Sequence, residues 1–511
     1  MELLVSAPQG KFSFKLADKA LLVAHRDTLT RTVQHHYVLD SHYDDEDHLM
    51  HVSYLIDKPD KKQGTSLELV KVTGTVQDEV QAFEWAEKLM SAVYEGHGIQ
   101  RSRRLRVLVN PNGGVRKGSF IFSRIVEPIF RAARCQLHVT HTTHNGHAHD
   151  IAKDLATNYD AVVTVSGDGL IHEVLNGFAE HADPLKAFSI PVAPIPTGSG
   201  NGLSLNLLGA QVSILRASQP KKRSHVPQHG FDVTRAALNV IKGQPMKVDL
   251  FSFTQGDKRS ISFMSQSLGL MADLDIGTEH LRWMGDTRFM VGLLRGIIQF
   301  RACPVQLSYK AAEIDKHKMA ERVSLHRKNK KSVPPTSSSP ATSESDITET
   351  LPPLKFQPED NEGWTTIDEP LLYVYAGKGP FVGRDYMAFP VSLPDDGLID
   401  VMAMPLSSRK DVIAGMAGAE KGESYWSPKL QYVKAHAYRV KPLKPKGHLA
   451  VDGEIYPFKE FQVEVHQCLG TLLSPYGQYA VEFAPHPPAR NKKSKPSDDK
   501  KEGATRSVST I

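Results

Sequence analysis

The sequence has few cysteines and no long apolar run. Its 511 residues include only three cysteines, Cys135, Cys303 and Cys468, which lie far apart and are odd in number. This argues against a disulfide framework and favours a reducing compartment. The most apolar stretch, 289–300, is interrupted by two glycines and an arginine, and it is shorter than the roughly 18 residues of a membrane-spanning helix. We expect a soluble protein, or one that lies on a membrane surface.

A signal peptide and a strong charge of one sign are also missing. The N-terminus has no basic segment followed by an apolar run, so we expect a cytoplasmic protein that associates peripherally with membranes. The net charge of +5 is too dilute to indicate nucleic-acid binding. With 40% hydrophobic and 23% charged residues, the chain is neither a disordered polyelectrolyte nor a membrane-embedded bundle. At roughly 100–200 residues per domain, its length predicts two to four domains.

Two segments lack the apolar residues that a folded core requires. Ser, Thr and Pro occupy 15 of the 23 positions from 332 to 354, which predicts a disordered insert over about 320–362. From 490 to 506, seven Lys and Arg residues stand against three acids, which predicts a disordered basic tail over 485–511. Such a tail either keeps the protein soluble or attracts it to an anionic membrane.

In the rest of the chain, the pattern of predicted strands and helices changes twice, which predicts three folded regions. Residues 1–98 show short strands and then an amphipathic helix with a central Trp85. This pattern resembles a small, β-rich pleckstrin-homology-like (PH-like) domain, and an unspecific β-rich domain fits equally well. Residues 103–240 alternate strands and helices, which predicts an α/β nucleotide-binding lobe with a parallel sheet. Strands dominate residues 241–482, which predicts a C-terminal β-sandwich lobe that binds lipid.

Three strand ends in the α/β region carry glycine-rich turns. The first, Asn110–Gly114 (NPNGG), needs unusual backbone angles. It is not a P-loop, because Gly118 is followed by Ser119 and Phe120 instead of Lys and then Ser or Thr. The second, Ser166–Gly169 (SGDG), presents an acid at the start of a helix, where free amides favour a phosphate. The third, Gly198–Gly202 (GSGNG), again exposes backbone N–H groups. The second turn alone could lack a ligand, but three such turns together favour a nucleotide site.

In this order, the three turns with His172 and Glu173 resemble the diacylglycerol-kinase catalytic domain family. Gly269–Asp275 (GLMADLD), with the basic residues after it, and Val451–Glu454 (VDGE) resemble its sphingosine-kinase, or long-chain-base kinase, branch. The similarity spans residues 105–479. It implies a lipid kinase that transfers the γ-phosphate of ATP to the primary hydroxyl of a sphingoid base. The alternatives are a ceramide or diacylglycerol kinase, or a catalytically inactive phosphoinositide-binding adaptor.

The resemblance also implies roles for individual residues. Asp168 would be the catalytic base that accepts the proton of the attacking hydroxyl. Substrate contacts would come from Ser166, Gly167, Gly169 and Asp275, the last of which would receive the amine and hydroxyl of the base. Mg²⁺ is implied as a cofactor, without assigned ligands. The expected nucleotide-binding residues are Asn110, Pro111, Asn112, Thr142, Thr143, His144, Asn145, Gly146, Glu173, Gly198, Ser199, Gly200, Arg282, Arg288, Asp452, Gly453 and Glu454.

Two features have simpler structural alternatives. Asp275 lies in an otherwise apolar stretch, where an unpaired carboxylate is costly, and it could instead form a local salt bridge with Arg282. Five histidines between 138 and 149 do not predict a zinc site, because three-residue spacing on a strand alternates between faces and no Cys or carboxylate completes the ligands. The expected partners are ATP, a sphingoid base and a membrane surface, and the sequence leaves the oligomeric state open.

Overall fold

A computed structural model describes most of the chain. Among the predicted site residues, Ser199, Arg282 and Arg288 lie outside the described residues, and of Asp275 only the backbone is described. The predicted basic tail and the centre of the predicted insert also lie outside them. The described residues are 2–26, 28–58, 66–113, 116–198, 200–209, 231–276, 292, 295–296, 298–331, 350–384, 386–416 and 418–483.

The N-terminal residues form two antiparallel sheets and a helix, here called the N-terminal module. Four sequential strands make the first sheet and three make the second, and a bridge between Ser6 and Thr75 joins them. The helix buries Trp85, as its amphipathic pattern predicts, while the likeness to a PH-like domain stays a prediction. The elements are β1 Glu2–Ala7, β2 Gly10–Leu16, β3 Ala20–His25, β4 Thr28–Gln34, β5 Val38–Asp44, β6 Leu49–Asp57, β7 Leu67–Gly74 and α1 Glu79–Val93, with 3-10 turns His35–Tyr37 and Glu95–His97.

The α/β region contributes four parallel strands to a large mixed sheet, in the order β9-β8-β10-β11. The carboxyl ends of parallel strands lie at one edge, so the turns after β8, β10 and β11 are brought together there. The elements are β8 Arg104–Val109, α2 Gly118–Ile121, a π-helical turn Phe122–Val126, α3 Glu127–Ala132, β9 Gln136–His141, α4 His147–Lys153, β10 Ala161–Ser166, α5 Asp168–Ala179, α6 Pro184–Ser189, β11 Val192–Pro196, α7 Gly202–Leu208 and α8 Val233–Lys242.

Seven further strands of the same sheet are antiparallel and follow the order β23-β22-β14-β17-β20-β21-β24, and β12, β13, β15 and β16 pair off this path. Strand β24 is the junction, because it pairs in parallel with β11 and antiparallel with β12 and β21. The fold is therefore a mixed parallel and antiparallel α/β structure, and the β-sandwich description of this half stays a prediction. The elements are β12 Gln244–Gln255, β13 Lys258–Ser262, β14 Ser265–Gly269, α9 Leu270–Ile276, β15 Val305–Glu313, α10 Lys316–Lys331, β16 Thr365–Ile367, β17 Leu371–Gly377, β18 Phe381–Gly383, β19 Tyr386–Met387, β20 Ile399–Pro405, α11 Arg409–Met416, 3-10 turns Ala419–Lys421 and Glu423–Trp426, β21 Gln431–Pro442, β22 Leu449–Val451, β23 Glu454–Tyr456 and β24 Phe461–Ser474.

The predicted bounds of the insert, 320–362, are too wide. Helix α10 continues to Lys331, because Met319 and Val323, one helical turn apart, are buried in the core of the antiparallel half. On the other side, the Lys355 N–H donates to the Glu464 carboxylate at 3.0 Å. Composition alone did not reveal where the insert begins and ends, because a few contacts with the core hold segments that are otherwise polar. Within the described residues, no helix is long and apolar enough to cross a membrane.

Candidate active site

The three glycine-rich turns meet at the carboxyl edge of the parallel strands. The Asn110 side-chain amide lies 3.4 Å from the Ser166 hydroxyl, and the Thr197 N–H donates to the Ser166 carbonyl at 3.0 Å. Gly167 and Gly198 touch each other, since a Cβ added at Gly198 would lie 2.4 Å from the Gly167 Cα. Only glycine allows this approach, which packs the second and third turns into one surface.

The first turn folds back on itself through side-chain contacts. The Asn112 N–H donates to the Asn110 Oδ1 at 3.0 Å, which is the Asx turn that asparagine favours. A Cβ added at Gly113 would lie 3.2 Å from the Ser166 Oγ, so this turn lies against the second one. Pro111 and Asn112 remain at the surface. The predicted nucleotide residues of this turn therefore lie beside Ser166.

Asp168 occupies the first turn of α5, and its carboxylate is held by a second helix. Its Oδ2 accepts a hydrogen bond from the Gly202 N–H at 2.7 Å, and its Oδ1 accepts one from the Leu203 N–H at 3.2 Å. These amides belong to the N-terminus of α7, where N–H groups have no partner within the helix. The buried carboxylate is thus fixed between the N-terminal ends of two helices.

The third turn is shaped by a residue that the sequence did not single out for a role. Asn201 is buried and adopts a left-handed conformation with a φ of 53°. Its side chain accepts a hydrogen bond from the Gly198 N–H at 3.1 Å and donates one to the Gly198 carbonyl at 2.6 Å. A Cβ added at Gly200 would lie 3.4 Å from the Asp168 Oδ2. The turn therefore wraps closely around the Asp168 carboxylate.

A fourth loop, 142–146, follows β9 and is attached to the same edge. The Thr142 N–H donates to the Val109 carbonyl at 2.8 Å. Glu173 accepts a hydrogen bond from the Ala148 N–H at 3.0 Å, so this carboxylate positions the loop through the start of α4. The further predicted nucleotide residues of the loop, which are exposed or half-exposed, are Thr143, His144, Asn145 and Gly146.

The VDGE block reaches α5 from the antiparallel half through a buried carboxylate. Asp452 has a φ of 51° and Gly453 one of 84°. The Asp452 carboxylate accepts five hydrogen bonds, from His172 Nδ1, the Ser262 hydroxyl and the main-chain N–H groups of 263–265, at 2.8 to 3.1 Å. Protein donors thus occupy both of its oxygens. Asp452 joins the two halves of the molecule through this carboxylate, and its main-chain N–H donates to the Ser265 carbonyl at 2.7 Å.

The charge of His172 depends on this contact. Burial lowers the pKa of His172, but the hydrogen bond to and charge of Asp452, with the charges of Glu454 and Glu173, outweigh burial and raise that pKa above its ordinary value. Glu454 is the acid of the block that faces the turns, because a Cβ added at Gly169 would lie 2.8 Å from its Oε1. The block therefore supplies one structural carboxylate and one carboxylate beside the start of α5.

The Asp275 block begins at a small apolar cavity. Asp275 lies near the end of α9, and the first residues of this helix, Leu270 and Met271, line an enclosed space of about 20 Å³. Tyr373 and Tyr386 also line it, and burial raises the pKa of Tyr373 to about 12. A volume of this size holds about one water molecule, so a larger ligand requires the surrounding side chains to move.

The predicted residues are thus divided among three places. Those of the first, second and third turns gather at the carboxyl edge with Glu454, the 142–146 loop flanks that edge, and the Asp275 block lies in the antiparallel half. Sequence reasoning missed the two α7 amides that hold Asp168 and the role of Asn201. The GSGNG motif, followed by an apolar helix, was the available signal for both.

Comparisons with known proteins find one family model and several similar proteins. The model of the diacylglycerol kinase catalytic domain matches residues 104–253, which contain all three turns. Sphingoid long chain base kinase 4 of Schizosaccharomyces pombe is 34% identical over 402 residues, covering 78% of this chain and 80% of the relative. Sphingoid long chain base kinase 5 of Saccharomyces cerevisiae is 29% identical over 454 residues, covering 77% and 62%. Sphingosine kinase 1 of Arabidopsis thaliana is 27% identical over 418 residues, covering 76% and 79%.

Proposed function

The chain belongs to the family of sphingoid long-chain-base kinases, and from that premise we propose how its residues divide the reaction. It is an ATP-dependent lipid kinase that phosphorylates sphingoid bases. The observation that carries the proposed mechanism is the Asp168 carboxylate, which two α7 amides hold at the start of α5, inside the glycine-rich turns.

We assign the phosphates of ATP to the main chain of the turns. The contact between Gly167 and Gly198 and the helix start at Asp168 favour this, because N–H groups at a helix N-terminus bind anions. The remaining nucleotide contacts are assigned to the first turn, the 142–146 loop and Glu454. Ser199, Arg282 and Arg288 keep their assignment to the nucleotide through the family resemblance alone.

Asp168 is the proposed general base. Phosphoryl transfer needs the attacking and leaving oxygens in line and the spreading negative charge neutralised. In this scheme Asp168 accepts the proton of the primary hydroxyl while the hydroxyl oxygen bonds to the γ-phosphorus. The bond between the γ-phosphorus and the oxygen that bridges it to the β-phosphate breaks, which gives ADP and the 1-phosphate of the base. The amides of Gly202 and Leu203 keep the carboxylate in one orientation for this step.

A magnesium ion fits the donors at this edge. Mg²⁺ prefers oxygen ligands and is commonly bound through one or two carboxylates with phosphates and water. Glu454 is exposed and lies beside Gly169, so we propose its carboxylate as the protein ligand. Asp452 does not fit, because its oxygens already accept five hydrogen bonds. When bound, Mg²⁺ would neutralise part of the triphosphate charge.

We propose that the sphingoid base binds in the antiparallel half. By resemblance, Asp275 receives its amine and hydroxyl, and the apolar cavity beside Leu270 and Met271 marks the entrance for its chain. Because this cavity holds about one water molecule, binding of the chain has to displace side chains around α9. In this proposal the headgroup would lie between the apolar interior and the turns.

The first experiment tests Asp168. We expect Asp168→Asn to lower turnover of sphinganine by about 10²–10⁴-fold, the usual contribution of a general base, with unchanged ATP affinity. Turnover is measured with radiolabelled ATP and affinity by calorimetry. Asp183→Asn is the matched control, because Asp183 also caps a helix in this region, accepting the Lys186 N–H at 3.0 Å, but lies at α6. Wild-type turnover in Asp168→Asn would remove the assignment.

The second experiment tests the substrate. We expect Asp275→Asn to raise the KM for sphinganine at least about tenfold, which corresponds to 1.4 kcal/mol, with little change in the KM for ATP. Asp273→Asn is the control on the same helix, where the carboxylate pairs with His448 Nδ1 at 2.6 Å. Equal effects of the two substitutions would contradict the assignment. Ceramide and diacylglycerol, assayed alongside, test the alternative lipid substrates.

We also propose that the N-terminal module is PH-like and that the enzyme works from the cytoplasm at a membrane surface. The two antiparallel sheets followed by α1 support the first part. The amphipathic substrate supports the second, because such lipids reside in bilayers. Co-sedimentation of the full chain with anionic vesicles, compared with neutral vesicles, measures this association.

A further inference from the structure

Two histidines and an aspartate come together on the three-stranded sheet of the N-terminal module. His42 and His51 are paired across β5 and β6, and their rings stack with centroids 4.8 Å apart. Asp44 follows His42 by two residues on β5, so both side chains lie on the same face. One nitrogen of each ring and one Asp44 oxygen all lie within 4.8 Å of one another. Within the described residues, no second group of three such side chains does so.

Each histidine ring is oriented by a partner at its Nδ1. The His42 Nδ1 lies 2.6 Å from the buried Asp40 carboxylate. The His51 Nδ1 lies 3.1 Å from the hydroxyl of Thr73, which is paired with His51 across β6 and β7. Both contacts use Nδ1, so the second ring nitrogen, Nε2, would be the metal ligand of each histidine. Histidines that bind a metal usually donate their other ring N–H to a carboxylate, carbonyl or water, which fixes the orientation of the ring.

We propose that His42, Asp44 and His51 form a binding site for a divalent transition metal, with Zn²⁺ the best match and water as the fourth ligand. Two imidazole nitrogens and one carboxylate oxygen suit Zn²⁺, whereas Mg²⁺ prefers oxygen ligands alone. Bonds of about 2.0–2.1 Å require ligand atoms about 3.3 Å apart. The ligand atoms of the three half-buried side chains lie within 4.8 Å of one another, so they would have to move closer on binding. The bound metal would cross-link β5 to β6. This site lies in the N-terminal module, whereas Asp168 lies in the α/β region.

The test is zinc binding by the full chain without an affinity tag. In calorimetric titrations with excess Mg²⁺, we expect one Zn²⁺ per chain, and Co²⁺ should give the visible absorption of a tetrahedral site. Asp40→Asn should weaken Zn²⁺ binding about 10–100-fold, the usual effect of losing a group that orients a metal-binding histidine. His51→Gln, which removes a ligand, should weaken it by at least about 100-fold. His25→Gln is the control in the same module, since His25 contacts the Gln9 carbonyl instead.

Two results would overturn the proposal. One is equal Zn²⁺ affinity in wild type and His51→Gln, and the other is the lack of stoichiometric binding by wild type. Melting curves from circular dichroism show whether His51→Gln is folded, and if it is not, Asp40→Asn with the Co²⁺ spectrum decides the question. Turnover of sphinganine by the same samples separates a failure of this proposal from a failure of the proposed kinase mechanism.

Discussion

The two halves of the large sheet use their polar groups in opposite ways. In the parallel half, β10 is buried at every position, and the groups proposed to bind ligand collect in turns beyond the strand ends. In the antiparallel half, charged side chains lie buried within the sheet itself. The first arrangement offers main-chain N–H groups to a ligand, whereas the second fixes neighbouring strands to one another. The main-chain groups proposed to bind the phosphates of ATP and the buried charges that connect strands thus lie in different halves.

The buried charged side chains that connect strands in the antiparallel half are two lysines and three aspartates. Lys378 Nζ donates to Asp249, to Asp396 at 2.6 Å and to a main-chain carbonyl, and Lys434 Nζ contacts Asp396 at 2.9 Å and Asp400 at 3.1 Å. Burial alone lowers the pKa of Lys378, but the charges of Asp396 and Asp249 outweigh it and hold that pKa above its usual value. The ammonium is therefore charged, and each group depends on its partners.

The largest effect should follow from removing one of these lysines. We expect Lys378→Met to lower the free energy of unfolding by about 3–5 kcal/mol, because Asp249 and Asp396 lose a buried partner. Lys429→Met is the control, since Lys429 pairs with Asp411 at the surface, where a pair contributes about 0–1 kcal/mol. Urea denaturation measures both. Similar losses in the two variants would break the contrast between buried and exposed charges.

A smaller loss of function is expected from adding a methyl group at the point where the second and third turns touch. In Gly198→Ala, the new Cβ would lie 2.4 Å from the Gly167 Cα and 2.7 Å from its N, and a backbone neighbour cannot rotate away. We expect kcat/KM for ATP to fall about 10²-fold, as misplaced binding groups commonly cause. The control is Gly96→Ala, where the nearest atom is 3.6 Å away. Wild-type kinetics in Gly198→Ala would show that this approach of the turns is not needed.

The smallest effect concerns the contact that joins the halves. Since the folded-state pKa of His172 is raised, its contribution to stability is complete below the ordinary pKa of about 6.5 and is lost as pH rises through the folded-state value. We expect His172→Gln to cost about 1–3 kcal/mol at low pH. The difference from wild type should shrink as pH rises above about 6.5, through the raised folded-state pKa of His172. Denaturation at several pH values measures it, and a difference that grows with pH would contradict the charge of His172.

The parallel half was the more predictable from sequence, because its signals are local. Gly167 and Gly198 lie where two turns approach too closely for any other residue. Asp168 directly precedes an apolar helical pattern. Alternating strands and helices also predict that the turns share one edge. These features can be seen within a few residues of sequence.

The supporting contacts could not be predicted, because they join distant residues. His172 and Asp452 are 280 positions apart, and Lys378 and Asp249 are 129 apart. A sequence does not show which buried charges will meet, so the VDGE acids were both expected at the nucleotide. The structure separates them, since Asp452 is saturated by protein donors and Glu454 faces the turns.

Hydrogen–deuterium exchange of the full chain tests most directly whether ATP is bound by the main chain of the turns. The comparison is between free protein and protein with Mg²⁺ and a non-hydrolysable ATP analogue. We expect slower exchange at 166–169 and 198–203, and unchanged exchange at the buried strand 431–442. If the analogue binds and these two turns exchange as fast as before, the assignment of the nucleotide to the parallel half is wrong.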